Sequence, residues 1–159
     1  MLNWGMFRIS LLFLSVLTVA RHVNAQPKSL CDLVTAGDAQ GFFGKAADKI
    51  MGNPQICSYG LKGQDIMLTA VNYTSSPNAK HLFDMNRHAM EQQKGSSPKD
   101  EPGLGATAFS SSTQNAVLIF LLKGNATVQL TASTAEGKQV PAGSLDKLRV
   151  VARKAAGRM

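Results

Sequence analysis

His81 and His88, Cys31 and Cys57, the serines at 96, 97 and 110–112, and the adjacent acids Asp100 and Glu101 are the side chains whose types and spacing could support chemistry. Seven residues separate the two imidazoles, about 10 Å along a helix axis, whereas the histidine ligands of one zinc ion each sit ~2 Å from it. The pair therefore reads as part of a solvated helix face, with Asp84 placed to pair with His88 at i, i+4, and neither a metal site nor a cofactor is assigned. No Gly-x-Ser-x-Gly elbow frames any serine, and nothing in the order of residues brings a histidine beside one. Asp100 and Glu101 are sequence neighbours, while glycoside chemistry needs two carboxyl groups ~5 to 9 Å apart across a cleft. Gly103 and Gly105 lack the Lys-Ser/Thr ending of a phosphate loop. No catalytic residue is assigned.

The N-terminus gives the chain an address. Arg8 is followed by an apolar run over 9–20 and by Val23-Asn24-Ala25, the layout of a secretory signal peptide cut after Ala25. The run is shorter than the ~20 residues of a membrane helix, so the mature chain is expected to lack a transmembrane span. Residues 26–159 then form one domain, periplasmic or secreted. Cys31 and Cys57 sit in an exported chain, where a disulfide forms and persists; closing that loop stabilises by roughly 3 kcal/mol. Two thiols alone do not make a zinc site, and there is no Cys-x-x-Cys redox spacing. The formal charge of +7 falls to +5 when Arg8 and Arg21 leave with the signal. With few aromatics and no nucleic-acid motif, this modest excess points to solubility and not to nucleic acid.

The elements that must position these residues follow from periodicity. Residues 116–133 read as a hairpin: seven unbroken apolar residues suit a strand covered on both faces, Lys123, Gly124 and Asn125 supply the turn, and 127–133 alternate. Thr35, with Asp38 three residues on, caps a short helix that Gly44 ends. Residues 45–54 read as a linker, 56–61 and 66–73 as two strands, and 107–110 as a short one. A helix is expected over 78–94, with Leu82, Phe83, Met85, Ala89 and Met90 on its apolar side, and a second begins at Ser144 as N-cap, with Leu145, Leu148, Val151, Ala152 and Ala155 facing inward. Between them, residues 94–105 are rich in Gly, Pro, Ser and charge and read as an exposed loop.

The run Cys31-Asp32-Leu33-Val34-Thr35, the second cysteine in Cys57-Ser58-Tyr59, Pro102-Gly103-Leu104-Gly105 ahead of an Ala-Phe strand, the Leu-Lys-Gly-Asn hairpin and a terminal Leu-x-x-Leu-x-x-x-Ala helix resemble a domain-of-unknown-function family of small bacterial envelope proteins, many of them lipoproteins. The resemblance spans essentially the whole mature chain through short structural motifs. It implies an antiparallel sheet packed by helices, similar to the sandwiches of photosystem extrinsic-subunit and Mog1-like proteins, with the two cysteines bridged. It brings no catalytic residue, and this chain lacks the lipid-accepting cysteine of the lipoprotein members.

The expected fold is α+β, a mainly antiparallel sheet of about five strands packed by helices, with one disulfide. The expected function is a non-enzymatic, monomeric binding protein for an unknown envelope protein or small ligand, using the 94–105 loop with Asp100, Glu101 and Leu104 as candidate binding residues. Two other readings are a carrier of an apolar molecule, needing a cavity lined by residues such as Phe83, Met85, Met90 and Phe120, and a small envelope hydrolase with His81 or His88 as base.

Overall fold

The structure, a computed structural model, describes residues 29–159. The signal segment and its cleavage after Ala25 lie outside the described residues. Chain order is α1 (Leu30–Leu33), α2 (Ala36–Phe43), β1 (Asp48–Gly52), β2 (Ile56–Gly60), β3 (Met67–Ser75), α3 (Ala79–Gln92), β4 (Lys99–Asp100), β5 (Thr107–Ser112), β6 (Ala116–Lys123), β7 (Ala126–Ser133) and α4 (Ser144–Arg158). The strands form one sheet in the order β1-β2-β3-β7-β6-β5-β4, with every neighbouring pair antiparallel.

The sheet thus has seven strands, not five. The two that sequence patterning passes over are its edges. All five residues of β1 are exposed, so it carries no buried alternation, and the segment 45–54 has the composition of a linker. Asn53 closes the turn into β2 by accepting from the backbone N–H groups of Gln55 and Ile56. β4 is two residues long, and tertiary pairing with β5 rather than propensity makes it a strand.

The central hairpin behaves as its patterning requires. Val117, Ile119 and Leu121 of β6 and Val128, Leu130 and Ala132 of β7 point to one face, where they meet α1, α2 and α4 in the main core. Leu118, Phe120 and Leu122 point to the other face, beneath α3. There the rings of Phe83, Phe109 and Phe120 lie 5.1 to 6.0 Å apart. A strand buried on both sides can be apolar without a break, which is why β6 is.

The helices show where local signals suffice. Thr35 and Asp38 make the expected capping box at α2, and Gly44 ends that helix in the left-handed region at φ 78°. Ser29 and Asp32 make a second box that starts α1, a turn absent from the sequence reading. In α3 only Ala79 and Phe83 are buried, and Met85 is 54% exposed, so the stripe that meets the sheet is narrower than its composition suggests. Ser144 is the first residue of α4 and not its cap; Gly143 holds that place, and the Ser144 hydroxyl donates to the Pro141 carbonyl. Cys31 and Cys57 are bridged, with Cα atoms 5.2 Å apart, and join the first helical turn to β2.

Candidate functional site

The 94–105 segment divides into two halves with different environments. Its second half is clasped to two helices. Glu101 is 6% exposed, and its carboxylate accepts from Arg149 Nε and Nη2 at 2.7 Å each and from the Ser110 hydroxyl at 2.6 Å. Leu104 is 1% exposed and belongs to the main core. Arg153 Nε donates to the Gly103 carbonyl at 3.2 Å. Asp100 remains exposed and accepts from Arg87 Nη1 at 2.5 Å, while the Arg87 guanidinium stands 5.9 Å from the centre of the Phe109 ring.

The expectation of a uniformly exposed loop is therefore corrected. Two of the three candidate residues, Glu101 and Leu104, are interior anchors, and only Asp100 meets solvent. Sequence reasoning passes over the clasp because Arg149 lies 48 residues away and a charge pair at that distance leaves no local pattern. The Arg149 guanidinium, helped by Ser110, holds the Glu101 carboxyl below its ordinary range against the opposing effect of burial. A carboxylate so stabilised is a weak base, and its contact with Ser110 orients the hydroxyl without activating it.

The first half of the segment forms one wall of a cleft of about 180 Å³ lined by Gly95, Ser97, Lys99, Ser110, Ser111, Ser112 and Leu145. The cleft exists because β4 stops early. Lys99 pairs with Ser110 in the same hydrogen-bonded phase in which Glu101 N–H donates to the Ala108 carbonyl, and the ladder is not carried on to Ser97 opposite Ser112. β5 continues to Ser112 without a partner on that edge. Because Thr113 N–H bonds to the Ala116 carbonyl on the β6 side, the peptide groups of Ser112 point toward the open side. The Ser96 and Ser111 hydroxyls bond to each other at 2.5 Å and fix the base of the cleft. Lys99, Ser97 and Ser112 are exposed at its mouth. An ammonium, several hydroxyls and an open strand edge suit a ligand rich in acceptor oxygens.

A second buried acid supports the fold from the opposite end of α4. Asp38 is 3% exposed and accepts from Arg158 Nη1 at 2.5 Å, from Arg158 Nη2 at 3.3 Å, and from the backbone and hydroxyl of Thr35 at 3.0 Å each. Lys154 stands 3.4 Å away. Burial works against the charged form, but the Arg158 and Thr35 hydrogen bonds outweigh it and hold Asp38 below its ordinary range. The Arg158 head thus reaches an acid 120 residues earlier in the chain.

The histidines are on the solvated side of α3. His88 bonds to Gln92 at 2.9 Å and lies 3.6 Å from Glu91, while Asp84 pairs with Lys80 at 2.6 Å, so the expected Asp84–His88 pair does not form. Among the described residues, no hydrogen bond joins either imidazole to a serine, and no three His, Cys, Asp or Glu side chains cluster as metal ligands. Of the lining that the carrier reading requires, Phe83 and Phe120 pack directly on each other and on Phe109, and Met85 faces out.

No helix among the described residues is long and apolar enough to cross a membrane. No family model, curated protein or solved structure matches the chain.

Proposed function

We propose that the chain is an exported, non-enzymatic binding protein, periplasmic or secreted, which as a monomer holds an envelope protein or a small oxygen-rich ligand in the cleft between residues 95–99 and β5. The observation that carries this reading is the interrupted edge itself. An open edge at Ser112, exposed hydroxyls and the Lys99 ammonium converge on one concave surface, and the clasp of Glu101 by Arg149 keeps the wall in place. A site held by buried hydrogen bonds binds without first ordering a loop, which lowers the cost of association.

The N-terminal signal pattern and the disulfide are compatible with an oxidising compartment, and the resemblance to small envelope proteins points the same way. Within the loop, Glu101 and Leu104 act as anchors and Lys99, Ser97 and Ser112 as contacts, with Asp100 at the margin.

The test is a titration of an isolated partner against the wild-type protein and a Lys99→Glu/Ser112→Trp variant. Affinity is expected to fall at least tenfold while Tm stays within 3 °C of wild type. Equal affinity in the two proteins would remove the cleft from the account.

A further inference from the structure

A different groove runs between α2 and α4, and it carries a second binding assignment that does not rest on the serine cleft. It contains a cavity of about 90 Å³ whose floor is apolar: Phe42 and Val151 are both almost fully buried beneath it. Val150 forms one side and is 50% exposed, one of the few large apolar side chains left in water. The rim is cationic. Lys147 and Lys154, seven residues apart on α4, flank Val150 about 10 Å apart along the helix axis. Among the described residues, no carboxylate lies within 4.0 Å of the Lys147 ammonium. The acid of the groove, Asp38, is already held by Arg158 and Thr35 and pairs with Lys154 at 3.4 Å, so Lys147 is the rim cation left for a ligand. A neighbouring cavity of about 110 Å³ shares Phe42 and Lys147 and continues the groove toward Ile66.

Gly41 is the second, independent observation. It lies inside α2, in helical backbone with no positive φ to demand glycine. An interior glycine costs a helix about 0.5–1 kcal/mol relative to alanine. A Cβ built at Gly41 meets nothing within 4 Å, so packing does not require its absence either. Gly41 lines the cavity, so a long side chain in its place would lie across the groove.

We propose that this groove binds a short aliphatic carboxylate, its chain laid on Phe42, Val150 and Val151 past Gly41 and its head group at the Lys147 ammonium. The floor gains by covering Val150, and the unpaired ammonium gains a charge-assisted hydrogen bond at the chain's polar end. The combined space is below the ~300–1,000 Å³ of drug-sized sites, which sets the occupant as a short chain or one end of a longer one.

Titration of the purified protein with octanoate, octanol and octyltrimethylammonium, followed by backbone amide shifts, tests the assignment. Octanoate is expected to saturate one site with shifts on α2 and α4, and the alcohol and the cation to bind at least tenfold more weakly. Gly41→Leu is expected to weaken octanoate at least tenfold while keeping or raising Tm, which separates a filled groove from a damaged fold. Lys147→Gln is expected to weaken octanoate about fivefold and leave octanol unchanged. Absence of saturation, equal binding of octanol, or undiminished octanoate binding by Gly41→Leu would overturn the proposal. Adsorption to phosphatidylglycerol vesicles that is unchanged by Gly41→Leu and not competed by octanoate would assign the lysines to a membrane surface and overturn it as well.

Discussion

Arg149 grips the buried carboxylate of Glu101 through two 2.7 Å hydrogen bonds, and this one contact fastens the loop before β5 to the C-terminal helix. Ser110 adds a third bond to the same carboxylate from the adjacent strand. The wall of the serine cleft is therefore anchored by a residue remote from it in the chain.

Glu101→Gln should keep the side chain's volume and lose its charge. Breaking a buried ion pair costs about 3–5 kcal/mol; because Arg149 remains partly open to water, the expected loss is nearer 2–3 kcal/mol. Urea unfolding followed by circular dichroism measures it. A loss below 0.5 kcal/mol would mean that the clasp holds nothing.

Acid should expose the same contacts. Glu101 and Asp38 both have folded-state pKa values below their ordinary values of 4.5 and 3.8. Groups depressed in this way contribute stability that is fully present above the unfolded pKa and is lost as pH falls through the folded one. Tm should therefore be level from about pH 6 to 8 and fall progressively below about pH 5. The decline should be shallower in a Glu101→Gln/Asp38→Asn double variant, and an unchanged slope would detach these two acids from the acid response.

Cysteine titration under denaturing, non-reducing conditions should find no free thiol. Cys31→Ser/Cys57→Ser should lose about 3 kcal/mol, the chain-entropy value for a loop of this length. Two reactive thiols in the protein recovered from cells would contradict the pairing.

Phe109 is fully buried between two rings, so Phe109→Ala should cost about 3–5 kcal/mol through lost contacts and the cavity left behind. His81→Ala/His88→Ala, on the solvated side of α3, should change stability by less than 0.5 kcal/mol. Thermal unfolding of the two variants side by side checks both, and a reversal of their order would show that the faces of α3 are misassigned.

Local physics made part of this molecule legible in its sequence. The β6–β7 hairpin, the Thr35–Asp38 box and the Gly44 stop each depend on residues within a few positions, and each forms where the pattern places it. Ser29 and Asp32 carried the same kind of signal for α1, and attention to the Ser-x-x-Asp spacing would have found it. β1 was not legible, because an edge strand with every residue exposed has no buried face to reveal its period. The anchors of the site were not legible either. Glu101 meets Arg149 and Asp38 meets Arg158 only because the fold returns α4 to both, and adjacent charges in a Gly/Pro-rich stretch look solvated until that partner arrives. Ser110 to Ser112 stood out by composition alone; what makes them a cleft is that β4 pairs only with Phe109 and Ser110 and leaves the rest of β5 uncovered, a property of the sheet edge.

The most direct test of the binding account is native mass spectrometry of the protein recovered gently from its own cell envelope, wild type beside Lys99→Glu/Ser112→Trp. The account predicts a bound molecule or protein on the wild type that is absent from the variant, with both chains folded. An adduct retained equally by the variant, or a bare wild-type chain under conditions that preserve known complexes from the same envelope, would contradict it.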